Sequence, residues 1–118
     1  MEFYNVFQNN ISVQAIHQQL RIDNLDQYCA SVNQIIRHHG NEGEMYCVWG
    51  QFNIQREILN KGIRISLLNC PNALTFSITR EQHGLVIHCT INTEEADDDF
   101  IESIQVFLND LQQGINQL

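Results

Sequence analysis

The sequence predicts an α+β fold: a two-layer sandwich in which a four-stranded antiparallel β-meander carries two amphipathic helices on one face. Three observations predict it. Residues 45–91 alternate apolar and polar side chains with a period of two and almost no helical signal. Three clusters of turn residues cut that stretch into strands. On either side of it, over residues 25–36 and 100–111, apolar residues recur at helical spacing instead.

Taken in chain order, residues 1–11 hold Phe3, Val6, Phe7 and Ile11 at a helix-like spacing without a cap, which suits a frayed helix or a strap across the core. Ser12 can cap a short helix running to Arg21 with Ala15, Ile16 and Leu20 inward; a strand over residues 11–16 is the competing reading. Asp23 or Asn24 then caps a helix whose stripe is Leu25, Tyr28, Cys29, Val32, Ile35 and Ile36. His38 and His39 fall in its last turn, and Gly40 follows as the C′ residue. Asn41-Glu42-Gly43-Glu44 is the loop into the first strand.

That strand runs through Tyr46, Val48, Gly50, Phe52 and Ile54, with residues 55–60 either continuing it or making one helical turn. Asn60-Lys61-Gly62, Asn69-Cys70-Pro71-Asn72 and Glu81-Gln82-His83-Gly84 supply turns between the following strands. Short turns join antiparallel neighbours. By parity one face takes Val48, Phe52, Ile54, Ile63, Ile65, Leu67, Leu74, Phe76, Ile78, Leu85, Ile87 and Ile91, and needs a cover. The other takes Trp49, Gln51, Asn53, Arg64, Ser66, Leu68, Ser77, Val86, His88 and Thr90. The same parity sends Cys89 to the core and Cys47 away from it. The last helix, with Phe100, Ile101, Ile104, Phe107, Leu108 and Leu111, begins behind the acidic run Asp97-Asp98-Asp99 and is expected to end at Gly114.

A chain of 118 residues makes one domain, 1–118, with an ordinary core. Its net charge is −8, and the six basic residues Arg21, Arg37, Arg56, Lys61, Arg64 and Arg80 are scattered. A nucleic-acid partner would need them clustered, so none is expected. No apolar run is long enough to span a membrane and no signal peptide is visible; four widely spaced cysteines then suggest a cytoplasmic protein with reduced thiols. Charged residues are only 17% of the chain, which tilts the reading toward an oligomer.

No catalytic constellation stands out. Adjacent His38 and His39 point apart on a helix, the Asp run lacks calcium-loop spacing, and the cysteines lack zinc spacing, so no metal and no cofactor is expected. A Cys70–His88 pair would need hydrogen-bond reach to act as nucleophile and base. On the open face only His88 titrates near neutrality. The segment of residues 85–111 resembles the closing strand and helix of CoA-dependent acyltransferases and of small acidic secretion chaperones. The first family carries an H-x-x-x-D-G motif that Ile87-His88-Cys89-Thr90 does not offer, and the second interrupts its strands with a middle helix; neither is assigned.

The richest set is Trp49, Gln51, Arg64, Ser66, Ser77, His88 and Thr90, placed on one face by parity. An aromatic wall, a fixed cation and hydroxyls can hold a small anionic or aromatic ligand, with Arg64 as anion anchor. Trp and Arg are equally enriched in interfaces. The expectation is therefore a small acidic cytoplasmic interaction module, not an enzyme, homodimeric through the open sheet face and serving a protein partner. The alternative is a small-ligand binder or small enzyme with a pocket around Trp49, Arg64 and His88.

Overall fold

A computed structural model describes all 118 residues. In chain order the elements are β1 (Glu2–Phe7), α1 (Val13–Gln19), α2 (Leu25–Tyr28), β2 (Val32–His39), β3 (Glu42–Cys47), β4 (Gly50–Leu59), β5 (Gly62–Leu67), β6 (Thr75–Glu81), β7 (Gly84–Thr90) and α3 (Asp98–Asn116). The strands form one seven-stranded antiparallel sheet in the order β1-β7-β6-β5-β4-β3-β2. β2 to β7 make a six-stranded meander, and the N-terminal strand adds itself outside β7. The fold is α+β, but the expected four-stranded meander with two amphipathic helices is overturned: there are seven strands, one long helix and two short ones.

The largest correction falls on residues 25–36. Helix α2 stops at Tyr28, and Val32–His39 is an edge strand. Its register against β3 shifts between Val32 and Gln34 and again between Ile35 and Arg37. Each shift inserts a residue and moves the next side chain to the opposite face, so a period-two strand acquires the three-residue spacing of a helix. The β-branched Val32, Ile35 and Ile36 suit the strand better than a helix. Gly40-Asn41 is thus a hairpin turn rather than a helix end, and His38 and His39 lie exposed on the edge. Residues 1–11, read as helix or strap, contain β1, and residues 55–60 continue β4 as far as Leu59.

A second correction concerns residues 46–54. Val48-Trp49 forms the turn of a β3–β4 hairpin in which Cys47 faces Gly50, so one expected strand is two. Gly50 sits at φ +119°, which L side chains rarely adopt, so the turn depends on it. Parity inverts across such a turn. Cys47 is buried, Val48 is exposed, and Trp49 leaves the open face.

Elsewhere the local chemistry is as the sequence suggests. Ser12 caps α1 by accepting from the Ala15 N–H at 3.0 Å. Asp97 caps α3 by accepting from the Phe100 N–H at 3.0 Å, with Asp98 and Asp99 in the first turn where the helix dipole favours them. Ile104, Phe107, Leu108, Leu111 and Ile115 of α3 are buried against the sheet, and Phe107 meets Phe76 edge to face with centroids 5.3 Å apart. Each such side chain contributes roughly 1.5–3 kcal/mol on burial. Gly114 does not end α3 but lets it touch α2: a Cβ there would lie 1.8 Å from the Tyr28 carbonyl oxygen.

Two arginines serve the helix layer. Arg56, on the core face of β4 and only 7% exposed, donates from Nε to the Leu20 carbonyl at 2.8 Å, from one terminal nitrogen to the His17 carbonyl at 2.7 Å and from the other to Asn41 Oδ1 at 2.9 Å. It thereby caps the C-terminal end of α1. Arg80 donates to the Ile11 and Asn9 carbonyls and fixes the link from β1 to α1. With all three helices on one side, the opposite sheet face is left open, an arrangement antiparallel sheets tolerate.

Candidate functional site

Cross-strand register arranges the open face in files. One runs Tyr4, His88, Ser77, Arg64, Glu57 across five strands, each residue directly opposite the next. A second runs Glu2, Thr90, Thr75, Ser66, Gln55, Glu42 across six. Between them lies a solvent-open depression of about 410 Å³ that brings together five of the seven expected residues: Arg64, Ser66, Ser77, His88 and Thr90. Glu57, Leu59 and Thr75 complete its lining.

Trp49 and Gln51 are not part of it. Trp49 turns into the helix layer, where its ring stacks on Phe107 at 4.8 Å and its Nε1–H donates to Ser103 Oγ at 2.8 Å. Gln51 lies on the open face of β4, the strand next to Arg64's β5 but toward its Gly50 end and outside the depression, and donates to Glu44 Oε2 at 2.6 Å. The expected aromatic wall is therefore missing from the site. Cys70 and His88 are not brought together either: Cys70 packs against the core, whereas His88 stands on the open face.

Most charges of this face are paired with a neighbour. Arg64 grips Glu57 in a fork, at 2.8 Å from one terminal nitrogen and 3.3 Å from Nε. That hydrogen-bonded guanidinium holds the Glu57 carboxyl below the usual carboxylate range, and Glu57 in turn raises Arg64. His88 Nε2 lies 3.0 Å from Glu2 Oε1, while its ring stacks on Tyr4 with centroids 4.5 Å apart. Lys61 reaches Glu81 at 3.2 Å and holds that carboxyl down in the same way, and Arg37 reaches Glu44 at 3.4 Å. Hydroxyls stand between the pairs, with Thr75 donating to Ser66 Oγ at 3.3 Å. Exposed pairs of this kind add little to stability.

Three of the four cysteine thiols are buried away from this face. Burial pushes the Cys29 and Cys89 thiols up to about 12 and raises Cys47 as well. No three His, Cys, Asp or Glu side chains stand close enough to share a metal ion. Sequence reasoning missed four contributors: Glu2 and Tyr4, because β1 reads as a helix or strap; Glu57, because residues 55–60 were ambiguous; and Thr75, although its parity with Ser77 places it on this face.

Compared with protein-family models, known proteins and solved structures, the chain has no significant match.

Proposed function

We propose that the protein is a binding module rather than an enzyme, and that the open sheet face around Arg64, Ser77 and His88 docks a protein partner. The observation that carries this reading is the cross-strand pairing of the face: Arg37, Lys61, Arg64 and His88 each stand against a glutamate. A surface of such paired side chains offers alternating donors and acceptors over a wide area. Small-molecule sites differ: they are concave, mostly apolar and enclose the ligand. Here the depression is open, Leu59 is its one apolar residue, Arg64 is already closed on Glu57, and Trp49 lies elsewhere. The expectation of a homodimer through this face drew on the low charged fraction, Arg64 and Trp49, and of these Trp49 lies in the helix layer instead. Four unpaired cysteines, three of them buried, fit a reducing cytoplasmic setting for the module.

The test compares affinity capture by the native chain with capture by Ser77→Arg, which crowds the centre of the face, and by Asp26→Arg on the helix side. A partner whose recovery falls by about tenfold or more with Ser77→Arg alone supports the reading. Equal recovery by all three chains overturns it. So does a change in the Arg64 and His88 resonances on adding millimolar acetate or benzoate, which would favour a small-anion site.

A further inference from the structure

We propose that the protein forms a two-fold dimer in which the free edge of β1 pairs antiparallel with the same edge of a second copy, joining two sheets into one of fourteen strands. This concerns the edge of the sheet rather than its open face, and it stands or falls apart from the function proposed above.

The two edges of the sheet are unequal. Natural sheets protect a free edge with bulges and charges. β2 has both: two register shifts, and Arg37, His38 and His39 along its length. β1 has neither. It pairs with β7 over six residues without a shift, contains no proline, and carries one charge, Glu2 at its end, which faces His88. Tyr4 and Val6 are 55% and 61% exposed.

The hydrogen-bond pattern identifies which groups are free. Met1 and Ile91 exchange both bonds, Ile91 N–H to the Met1 carbonyl at 3.1 Å and the Met1 nitrogen to the Ile91 carbonyl at 3.2 Å. In an antiparallel ladder such pairs alternate. Phe3, Asn5 and Phe7 therefore bond to β7, and Glu2, Tyr4 and Val6 direct their N–H and C=O groups outward. A second β1 centred on Asn5 would place Tyr4 opposite Val6 of the other copy, twice, and each such pair would exchange two backbone hydrogen bonds. The same register sets Phe3 opposite Phe7. Aromatic and β-branched residues are favourable cross-strand partners, and parity keeps each residue on its own face.

Charge selects a second copy as the occupant. Two chains of net charge −8 repel wherever carboxylates meet. The wall formed by β1 and the adjoining face of α3 carries amides instead. Asn5 donates to Asn109 at 2.9 Å and to Gln112 at 3.0 Å and accepts from Gln105 at 2.9 Å, and Asn9 donates to Asn116 at 2.8 Å. Amides both donate and accept, so this wall complements itself. The 19 residues of α3 span about 28 Å, and helix plus sheet are roughly 20 Å deep, giving on the order of 560 Å² per chain. Two such walls bury about 1,100 Å², near the lower limit of specific interfaces, which predicts a reversible dimer.

Sedimentation equilibrium of the full chain tests this. The native protein should approach twice its 13.7 kDa chain mass as concentration rises. Val6→Pro removes only an outward N–H, which an edge strand tolerates, so the chain should fold and dimerise about a hundredfold more weakly, the loss counting twice in a symmetric interface. Should Val6→Pro fail to fold, Val6→Lys retains the N–H and places a charge at the seam, and should weaken the dimer similarly. Ser77→Arg should leave it unchanged. A native chain that stays monomeric to roughly 1 mM overturns the proposal. So does a dimer indifferent to both Val6 variants, or one lost with Ser77→Arg, which would put the interface on the open face. Loss of the dimer without loss of partner capture separates this proposal from the preceding one.

Discussion

Arg56→Met removes a cation that the fold buries without a carboxylate beside it. Three acceptors lose their donor: the His17 and Leu20 carbonyls and Asn41 Oδ1. Asn41 sits in a turn and can turn to water, which leaves two carbonyls orphaned at the end of α1. Each costs roughly 1–3 kcal/mol, so the gross penalty is about 2–6 kcal/mol. Against it stands relief from holding a guanidinium out of water, a strain visible in burial drawing Arg56 below the ordinary arginine range. Methionine keeps most of the aliphatic packing. The net destabilisation should be about 2–4 kcal/mol, or on the order of 10 °C in Tm for a chain of this size. Arg56→Lys keeps the charge but not the fork, and should fall between the two. Urea melts followed by circular dichroism would measure it, with the midpoint lowered and the slope unchanged. If Arg56→Met is as stable as the native chain, the desolvation of the cation outweighs its three bonds, and the capping argument fails.

The first of two other predictions uses the same melts and the second uses fluorescence. Stability should decline at alkaline pH. Burial raises the folded-state pKa of Cys29 and Cys89 to about 12, against 9.0 for an ordinary thiol, so between those values the folded chain holds more protons than the unfolded one. Their contribution is whole below pH 9 and is lost as pH rises toward 12, at roughly 1.4 kcal/mol per pH unit for each thiol. By pH 11 these two thiols should account for a loss of about 5 kcal/mol, to which buried Cys47 and Tyr28 add in the same direction, and Cys89→Ala should make the slope shallower; a urea midpoint flat to pH 11 would contradict it. Trp49 emission should be blue-shifted and indifferent to dilution, because its ring is packed on Phe107 whether or not two chains meet at β1. Ser103→Ala should strip its Nε1–H of an acceptor at a cost of about 1 kcal/mol and change the spectrum, whereas a red shift on diluting the native chain would put Trp49 at an interface.

Local rules read this chain well where nothing interrupts the period. The strands β5, β6 and β7 alternate without a break, and their inward residues, Ile63 and Ile65, Phe76 and Ile78, Ile87 and Cys89, are all buried. Five site residues were legible for the same reason, since Arg64, Ser66, Ser77, His88 and Thr90 all belong to those three strands. The failures occur where one residue changes the phase. Two shifts in β2 imitate helical spacing, and a tight turn at Val48-Trp49 reverses parity inside what reads as one strand. That is why Trp49 was put on the wrong side. β1 is hidden for a different reason: its partner, β7, lies 78 to 88 residues away along the chain, and no local signal records a pairing at that distance.

The disposition of charge follows from how few cations the chain has. Six lysines and arginines face fourteen acids. Arg56 and Arg80 are spent on backbone carbonyls, where they hold the helix layer to the sheet. Arg37, Lys61 and Arg64 pair with three of the glutamates on the open face, and Arg21 pairs with Asp23. No lysine or arginine is left for the run Glu94, Glu95, Asp97, Asp98, Asp99 and Glu102 around the start of α3, where much of the negative excess therefore gathers. A patch of one sign discourages association with other acidic surfaces, including a second copy of this chain. The surfaces on which such contact carries the least repulsion are the paired open face and the amide wall beside β1. Partner binding on the one and self-pairing on the other can therefore proceed together, and a dimer joined at β1 would present two open faces side by side along one sheet.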